Sequence, residues 1–145
     1  MGQIQLNSVK QSVKNGRVAN TYLLVGKNSS NVLGAGFDLI RSIIKSPYSN
    51  LGIPQQQASL EKLKTLTNPD VHYFYPVNTT SSVRTKAGSK DFVGQWRDFV
   101  ISNKEISLTS WYDKIELGNK QASINKDEAE EISRLCLLYT SPSPR

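Results

Sequence analysis

The chain has 145 residues, of which 37% are hydrophobic and 21% charged, and its formal net charge is +6. This length suits one domain, and the composition is that of a folded globular protein rather than a disordered one. No apolar run approaches the roughly 20 residues that a membrane span needs, and the N-terminus lacks the apolar core of a signal peptide, so we expect a cytoplasmic location.

The first half of the chain predicts helices that alternate with short strands. Residues 4–15 have helical apolar spacing, and this helix is expected to end near Asn15-Gly16. Residues 22–25 form a continuously apolar run, which is typical of a strand buried in a parallel sheet. Further helices are predicted at residues 32–44 and 58–66.

The second half continues the same alternation. An Asn-Pro-Asp turn leads into a second predicted strand, residues 71–75, and then into a loop, residues 78–90, that is long enough to carry function. Helices are predicted at 91–101, where Trp96 is assigned to the core, and at 108–117, with Gly118 as the stop. Asn125 with Glu128 resembles a capping box for the last helix. Together these elements predict an α/β fold.

The segment of residues 21–40 is built like a phosphate-binding loop. A working loop reads G-x-x-x-x-G-K-[ST], in which the lysine contacts phosphate and the hydroxyl contacts magnesium. Counted from Gly26, the last three positions hold other residues, which are Asn31, Val32 and Leu33. Lys27 stands too early to replace the missing lysine. We therefore expect a structural remnant with no bound cofactor, and an active nucleotide site is the alternative.

Positive charge is concentrated in two regions. In the first 64 residues, Asp38 and Glu61 face a larger set of cations: Lys10, Lys14, Arg17, Lys27, Arg41, Lys45, Lys62 and Lys64. A second group, Arg84, Lys86 and Lys90, lies in the predicted loop and is a candidate contact for DNA or another subunit. Ordinary solvated surface charge is the alternative for each residue.

Other chemical patterns are weak. Gly34 and Gly36 give only part of a dinucleotide-binding motif. His72 is the only histidine, and its place in the second strand is typical of a packed or surface residue rather than a catalytic base. The carboxylates that open the last helix are interpreted as solvated charge that favours the helix dipole: Asp127, Glu128, Glu130 and Glu131.

The last ten residues, CLLYTSPSPR, resemble a translated sequencing adapter. We expect residues 136–145 to be a non-native tail and residues 1–135 to be the N-terminal part of a longer protein. Cys136 would then carry no information about redox compartment or metal binding. A natural proline-rich tail is the alternative.

Several blocks together resemble one family. The opening, GQIQLNSVKQSVKNGRVANTYLLVG, is similar to the start of bacterial clamp-loader subunits, although Asn20 stands where they usually have histidine. NPDVHYFYPV is similar to a strand of the delta-prime subunits of DNA polymerase III. The order and spacing of that family continue through DFVGQWRDFV, SLTSWYDKI and NKQASINKDEAEEI. The resemblance covers nearly everything from Gly2 to Leu135.

The resemblance implies an incomplete AAA+ domain, with a P-loop α/β fold whose parallel sheet is flanked by helices. It implies a non-catalytic subunit that partners the ATPase subunits and delta, and that acts indirectly on the sliding clamp and primed DNA. Many members carry a degenerate loop, as here. Many also carry a four-cysteine zinc module, but residues 46–67 contain neither cysteine nor histidine, so no metal is expected.

Two further expectations follow from the resemblance. The Walker B strand, the sensor segments, the arginine finger and the collar domain would all follow Leu135. Both predicted strands would lack their neighbours, so we expect the chain alone to be prone to aggregation.

Overall fold

The computed structural model describes residues 2–27, 31–104 and 106–140. Within these ranges lie six α-helices and a short 3₁₀ helix, Ser89–Phe92. The α-helices are α1 Gly2–Lys14, α2 Val32–Lys45, α3 Ile53–Lys64, α4 Val93–Ser102, α5 Leu108–Lys114 and α6 Lys126–Thr140. The β-structure of the same ranges is one isolated antiparallel bridge between Val77 and Ser123.

The predicted α/β fold with a parallel sheet is wrong, because the described part of the chain is all-helical. Residues 22–25 and 71–75, which were predicted as strands, have no strand assignment. A strand requires a neighbour whose backbone N–H and C=O groups pair with its own, and the described residues supply none for either segment. The incomplete P-loop domain expected from the resemblance is therefore not supported.

The chain divides into two compact units. Unit 1 comprises Met1–Val71 and Val100–Ser107, and unit 2 comprises His72–Phe99 and Leu108–Arg145. Of the predicted basic groups, the one in the first 64 residues belongs to unit 1 and the one in the loop belongs to unit 2.

Unit 1 is built on α1, α2 and α3, with α2 in contact with both other helices. Its buried apolar side chains are Val13, Phe37, Leu39, Leu63 and Leu66. Helix α1 ends at Lys14, next to the predicted end near Asn15-Gly16, and Gly16 has φ 79°. The Arg17 N–H donates to the Ser12 carbonyl at 2.9 Å and the Gly16 N–H donates to the Val13 carbonyl at 3.0 Å. These bonds satisfy the last carbonyls of α1, and glycine takes the left-handed conformation at little cost.

Unit 2 is organised around an aromatic cluster, which consists of Tyr75, Trp96, Phe99 and Trp111. The rings of Tyr75 and Trp96 stack with centroids 4.3 Å apart, and Trp111 meets the two edge-on at 5.0 and 5.2 Å. Such tilted and stacked pairs are favourable beyond the apolar area that they bury. The prediction that Trp96 lies in the core is confirmed, since it is 8% exposed.

Candidate functional site

The candidate nucleotide loop joins residue 26 to α2. Residues 28–30 of this loop lie outside the described residues, and Gly26 and Lys27 on its near side are exposed. On its far side, Asn31 is the N-cap of α2: its Oδ1 accepts a hydrogen bond from the Gly34 N–H at 2.9 Å. The Asn31 carbonyl accepts from the Ala35 N–H at 3.1 Å, and its Nδ2 donates to the Lys104 carbonyl at 3.4 Å.

This geometry leaves the start of α2 poorly suited to phosphate. A phosphate-binding helix uses its first free N–H groups to contact the anion. Here one of those groups already bonds the Asn31 side chain, and Asn31 stands where a working loop has glycine. Val32 and Leu33 are half-buried and apolar, so they supply neither a charge for phosphate nor a hydroxyl for magnesium.

The Asn31 cap depends on glycine at position 34, so substitutions at the two residues should have coupled effects on the free energy of unfolding. A Cβ built on Gly34 would lie 2.3 Å from Asn31 Nδ2, so Gly34→Ala has to displace the cap. Asn31→Ala should lower the free energy of unfolding by about 1 kcal/mol. Gly34→Ala should destabilise the wild-type chain, but in the Asn31→Ala background it should stabilise by up to about 1 kcal/mol through helix propensity. Urea denaturation of the four proteins measures this cycle. Additive effects of the two substitutions would contradict this coupling.

The second candidate contact, Arg84, Lys86 and Lys90, is exposed at all three residues. Arg84 and Lys86 lie in the predicted loop, and Lys86 has φ 41°. Lys90 belongs to the 3₁₀ helix instead. The three cations therefore share one connected stretch of unit 2.

The predicted loop of residues 78–90 is anchored at its start. The Lys120 ammonium donates to the Thr79 carbonyl at 2.8 Å, and Asn78 Nδ2 donates to the Gln121 carbonyl at 2.6 Å. Within the loop, the Thr80 N–H donates to the Val83 carbonyl at 2.8 Å. These bonds tie the part of the loop that precedes the cations to residues 120–121.

A buried polar network around Ser89 was not predicted. Ser89 is 3% exposed, and its N–H donates to Glu128 Oε1 at 2.6 Å. Its hydroxyl donates to the Tyr75 carbonyl and accepts from the Tyr75 N–H, both at 3.1 Å, while the Tyr75 hydroxyl donates to the Ser89 carbonyl. Buried polar groups need such partners, so the network fixes the 3₁₀ helix against the aromatic cluster.

The capping box predicted for α6 is half correct. Asn125 Oδ1 accepts from the Glu128 N–H at 2.9 Å, and Asn125 Nδ2 also donates to the Ala87 carbonyl at 3.0 Å. The Glu128 carboxylate bonds Ser89 rather than completing the box. The interpretation of Glu128 as solvated charge is therefore wrong.

Burial raises the pKa of the Tyr75 hydroxyl above its usual 10.0, and the Glu128 carboxylate raises it further. The folded state therefore keeps this tyrosine neutral at a pH where the unfolded state ionises it. Above pH 10 the unfolded chain binds fewer protons than the folded chain, so the free energy of unfolding falls as pH rises. We expect Tyr75→Phe to make this fall shallower.

Urea denaturation of the wild type and Tyr75→Phe between neutral pH and pH 11 measures the effect. Lysine ionisation in this range is common to both proteins and cancels in the comparison. Equal dependence on pH in the two proteins would contradict a raised pKa at Tyr75.

The remaining residues of chemical interest stand apart from these sites. His72 and Cys136 are exposed. In residues 2–27, 31–104 and 106–140, no group of three or more His, Cys, Asp and Glu side chains could hold a metal ion. No helix in that part of the chain is long and apolar enough to cross a membrane. Comparison with protein-family models, curated proteins and solved structures finds no match.

Proposed function

We propose that the chain is a non-catalytic, delta-prime-type subunit of a bacterial clamp loader. In this role it assembles in the cytoplasm with the ATPase subunits and delta, and it helps to place the sliding clamp on primed DNA. Support comes from the sequence resemblance to that family in the segment from Gly2 to Leu135. The observation that carries the proposal is that four of the five blocks which resemble the family contribute to the aromatic cluster of unit 2 or, with Ser89, to its buried polar network.

Each of these blocks contributes to that interior. NPDVHYFYPV supplies Tyr75, DFVGQWRDFV supplies Trp96 and Phe99, and SLTSWYDKI supplies Trp111. NKQASINKDEAEEI supplies two polar side chains. Asn125 donates to the Ala87 carbonyl, and Glu128 accepts from the Ser89 N–H. The blocks therefore coincide with most of the buried apolar residues of unit 2.

The start of α2 supports the non-catalytic part of the proposal. A subunit that works beside ATPases without using nucleotide itself needs no phosphate site. Asn31 capping α2, with Val32 and Leu33 after it, suits such a subunit and opposes the alternative of an active P-loop ATPase.

Reconstitution tests the proposal. The purified chain is mixed with the clamp-loader ATPase subunits and delta from the genome that encodes it, and the products are sized by chromatography with light scattering. We expect the chain to enter the complex. Trp111→Ala, which removes the centre of the aromatic cluster, should prevent entry, whereas Lys126→Ala, with a side chain 88% exposed, should not. No complex at micromolar concentrations would overturn the assignment.

A second candidate function is a small nucleic-acid-binding module, which the exposure of Arg84, Lys86 and Lys90 favours. Binding through these cations would weaken steeply with salt, because each phosphate contact releases counterions. DNA binding that is lost on charge reversal at these three residues, together with failure of the reconstitution, would favour this second function.

A further inference from the structure

The C-terminal ends of α1 and α2 meet in unit 1. The Ser46 hydroxyl donates to the Val13 carbonyl at 3.2 Å, and the Tyr48 N–H donates to the Ser46 hydroxyl at 3.3 Å. A Cβ built on Gly16 would lie 3.0 Å from the Tyr48 ring, so the backbone after α1 lies against that ring. Glycine suits this position, because a side chain would be strained at φ 79° as well as crowded by the ring.

These contacts bring three cations and one aromatic side chain into the same region. Lys14 and Lys45 are the sequence neighbours of the bonded pair Val13 and Ser46, and Arg17 follows Gly16. We call the set of Lys14, Arg17, Lys45 and Tyr48 the α1–α2 corner. All four side chains are exposed, and Tyr48 is 65% exposed.

The cations of the corner are not neutralised by neighbouring carboxylates. Asp38 pairs with Lys10 at 3.9 Å and with Arg41 at 2.6 Å, and Glu61 pairs with Lys64 at 3.0 Å. Across the described residues, Lys14, Arg17 and Lys45 take part in no ion pair. The corner therefore presents uncompensated positive charge to the solvent.

Unit 1 as a whole reinforces this charge. It contains nine Lys and Arg residues and four Asp and Glu residues, which leaves +5, whereas nine against eight leaves +1 in unit 2. A field of one sign attracts a partner of the opposite sign and speeds its association. This charge favours an anionic partner and disfavours a second copy of unit 1.

The helix dipole accounts for two of the four residues of the α1–α2 corner. Lys14 and Lys45 are each in the last turn of a helix, where a cation complements the helix dipole. Arg17 and Tyr48 lie beyond the helix ends, so the dipole does not account for them. An exposed aromatic ring among cations is the arrangement that binds single-stranded nucleic acid, in which phosphates meet cations and bases stack on rings.

A groove beside the corner adds room for a base. It has a volume of about 320 Å³ and is lined by Val9, Ser12, Arg17, Val18, Ala19 and Tyr22. Arg17 therefore borders both the groove and the corner. The remaining lining is largely apolar, which suits a flat, unstacked base better than the flexible carboxylate of an acidic peptide.

We propose that the α1–α2 corner binds single-stranded nucleic acid, with Lys14, Arg17 and Lys45 on phosphates and Tyr48 stacked on a base. A single strand fits better than a duplex, because the bases of a duplex are already stacked on each other. This site is separate from the loop cations Arg84, Lys86 and Lys90 and does not depend on the clamp-loader assignment.

Fluorescence anisotropy of the full chain with a labelled oligothymidine of about 20 nucleotides tests the site. Charge reversal at Lys14, Arg17 or Lys45 to Glu should weaken binding at least about threefold and reduce the slope of log affinity against log salt by about 0.7 per contact. Lys62→Glu is the matched control, since it makes the same charge change at an exposed position of α3 in the same unit. It should bind nearly as well as the wild type.

Tyr48 separates stacking from general electrostatic attraction. Tyr48→Ala should weaken binding about fivefold or more, and Tyr48→Phe should retain it, because both aromatic rings stack. Circular dichroism checks that each variant keeps its helix content. Replacing a lysine by glutamine provides a milder second variant at any position where glutamate disturbs the fold.

Comparing the affinities of different probes identifies the kind of partner that the corner binds. Oligothymidine and oligouridine should both bind more tightly than a duplex of equal length, and polyglutamate should compete poorly. The proposal is overturned if Lys62→Glu weakens binding as much as the corner variants, or if only reversal at Arg84, Lys86 and Lys90 matters. Preference for the duplex or for polyglutamate would overturn it as well.

Discussion

Replacing Trp111 with alanine is expected to remove a large part of the stability of unit 2. Trp111 is 1% exposed and lies 5.0 to 5.5 Å, centroid to centroid, from the rings of Tyr75, Trp96 and Phe99. Its Nε1–H donates to the Pro76 carbonyl at 2.9 Å. Truncation of a buried tryptophan costs about 3–5 kcal/mol, and small domains have a total stability of only about 5–15 kcal/mol.

Urea denaturation followed by tryptophan fluorescence and circular dichroism measures this loss. Leu108→Ala is the matched control on the same helix, because Leu108 is 58% exposed and its truncation should change stability by less than about 0.5 kcal/mol. Trp111→Phe should fall between the two, since it keeps a buried ring and loses the bond to Pro76. Equal stability of the Trp111→Ala and Leu108→Ala proteins would contradict the aromatic core.

Replacing Val13 with aspartate is expected to have a similarly large effect on unit 1. Val13 is 0% exposed at the end of α1, where its carbonyl accepts from Ser46. A carboxylate buried in this position loses its hydration and places a charged group in the apolar core, which costs more than about 3 kcal/mol. Thermal and urea unfolding should both show the loss.

Leu23→Asp is the matched control for that experiment, and it also tests the correction of the fold. Leu23 is 86% exposed, so the substitution should leave the free energy of unfolding nearly unchanged. In a buried parallel strand, as the sequence predicted for residues 22–25, the same substitution would be as costly as Val13→Asp. A large loss of stability with Leu23→Asp would therefore contradict the all-helical description.

The helices were predictable because their signals are local. Apolar spacing placed α1, α2 and α4 within a few residues of their observed bounds. α3 begins at Ile53, five residues earlier than the predicted start at 58. The predicted helix left out Pro54, but proline is favoured in the first turn of a helix, where its missing N–H costs nothing.

The end of α5 shows a different limit of local patterns. The prediction extended this helix to residue 117 because Gly118 is a typical stop. The helix ends at Lys114, and Glu116 takes φ 55° while the Leu117 N–H donates to the Tyr112 carbonyl at 3.1 Å. Glutamate rarely adopts this conformation, so no sequence rule would have chosen it.

The two predicted strands failed because strand formation depends on partners distant in sequence. An apolar run such as residues 22–25 has the composition of a buried strand whether or not another segment pairs with it. The same limit applies to Glu128, whose role at the start of α6 was recognisable but whose bond to Ser89 spans 39 residues. Local sequence patterns carry no information about whether a strand finds a neighbour or about the bond between Glu128 and Ser89.

At the loop that precedes α2, only the missing chemistry could be predicted from the sequence. The motif count identified Asn31, Val32 and Leu33 as departures from a phosphate-binding loop. Asparagine is also among the favoured N-cap residues, and that property describes what the structure shows at this position. Comparison with the phosphate-binding motif identifies the residues that are missing, but it does not predict the structural role of the residues that replace them.

Titration calorimetry of the full chain with MgATP tests most directly whether the start of α2 is closed to phosphate. Asn31 already bonds the Gly34 N–H at 2.9 Å, and Val32 and Leu33 replace the lysine and the hydroxyl. We therefore expect only heats of dilution at ATP concentrations up to the millimolar range, with and without magnesium. Saturable binding that requires magnesium would contradict a non-catalytic subunit and would favour an active ATPase.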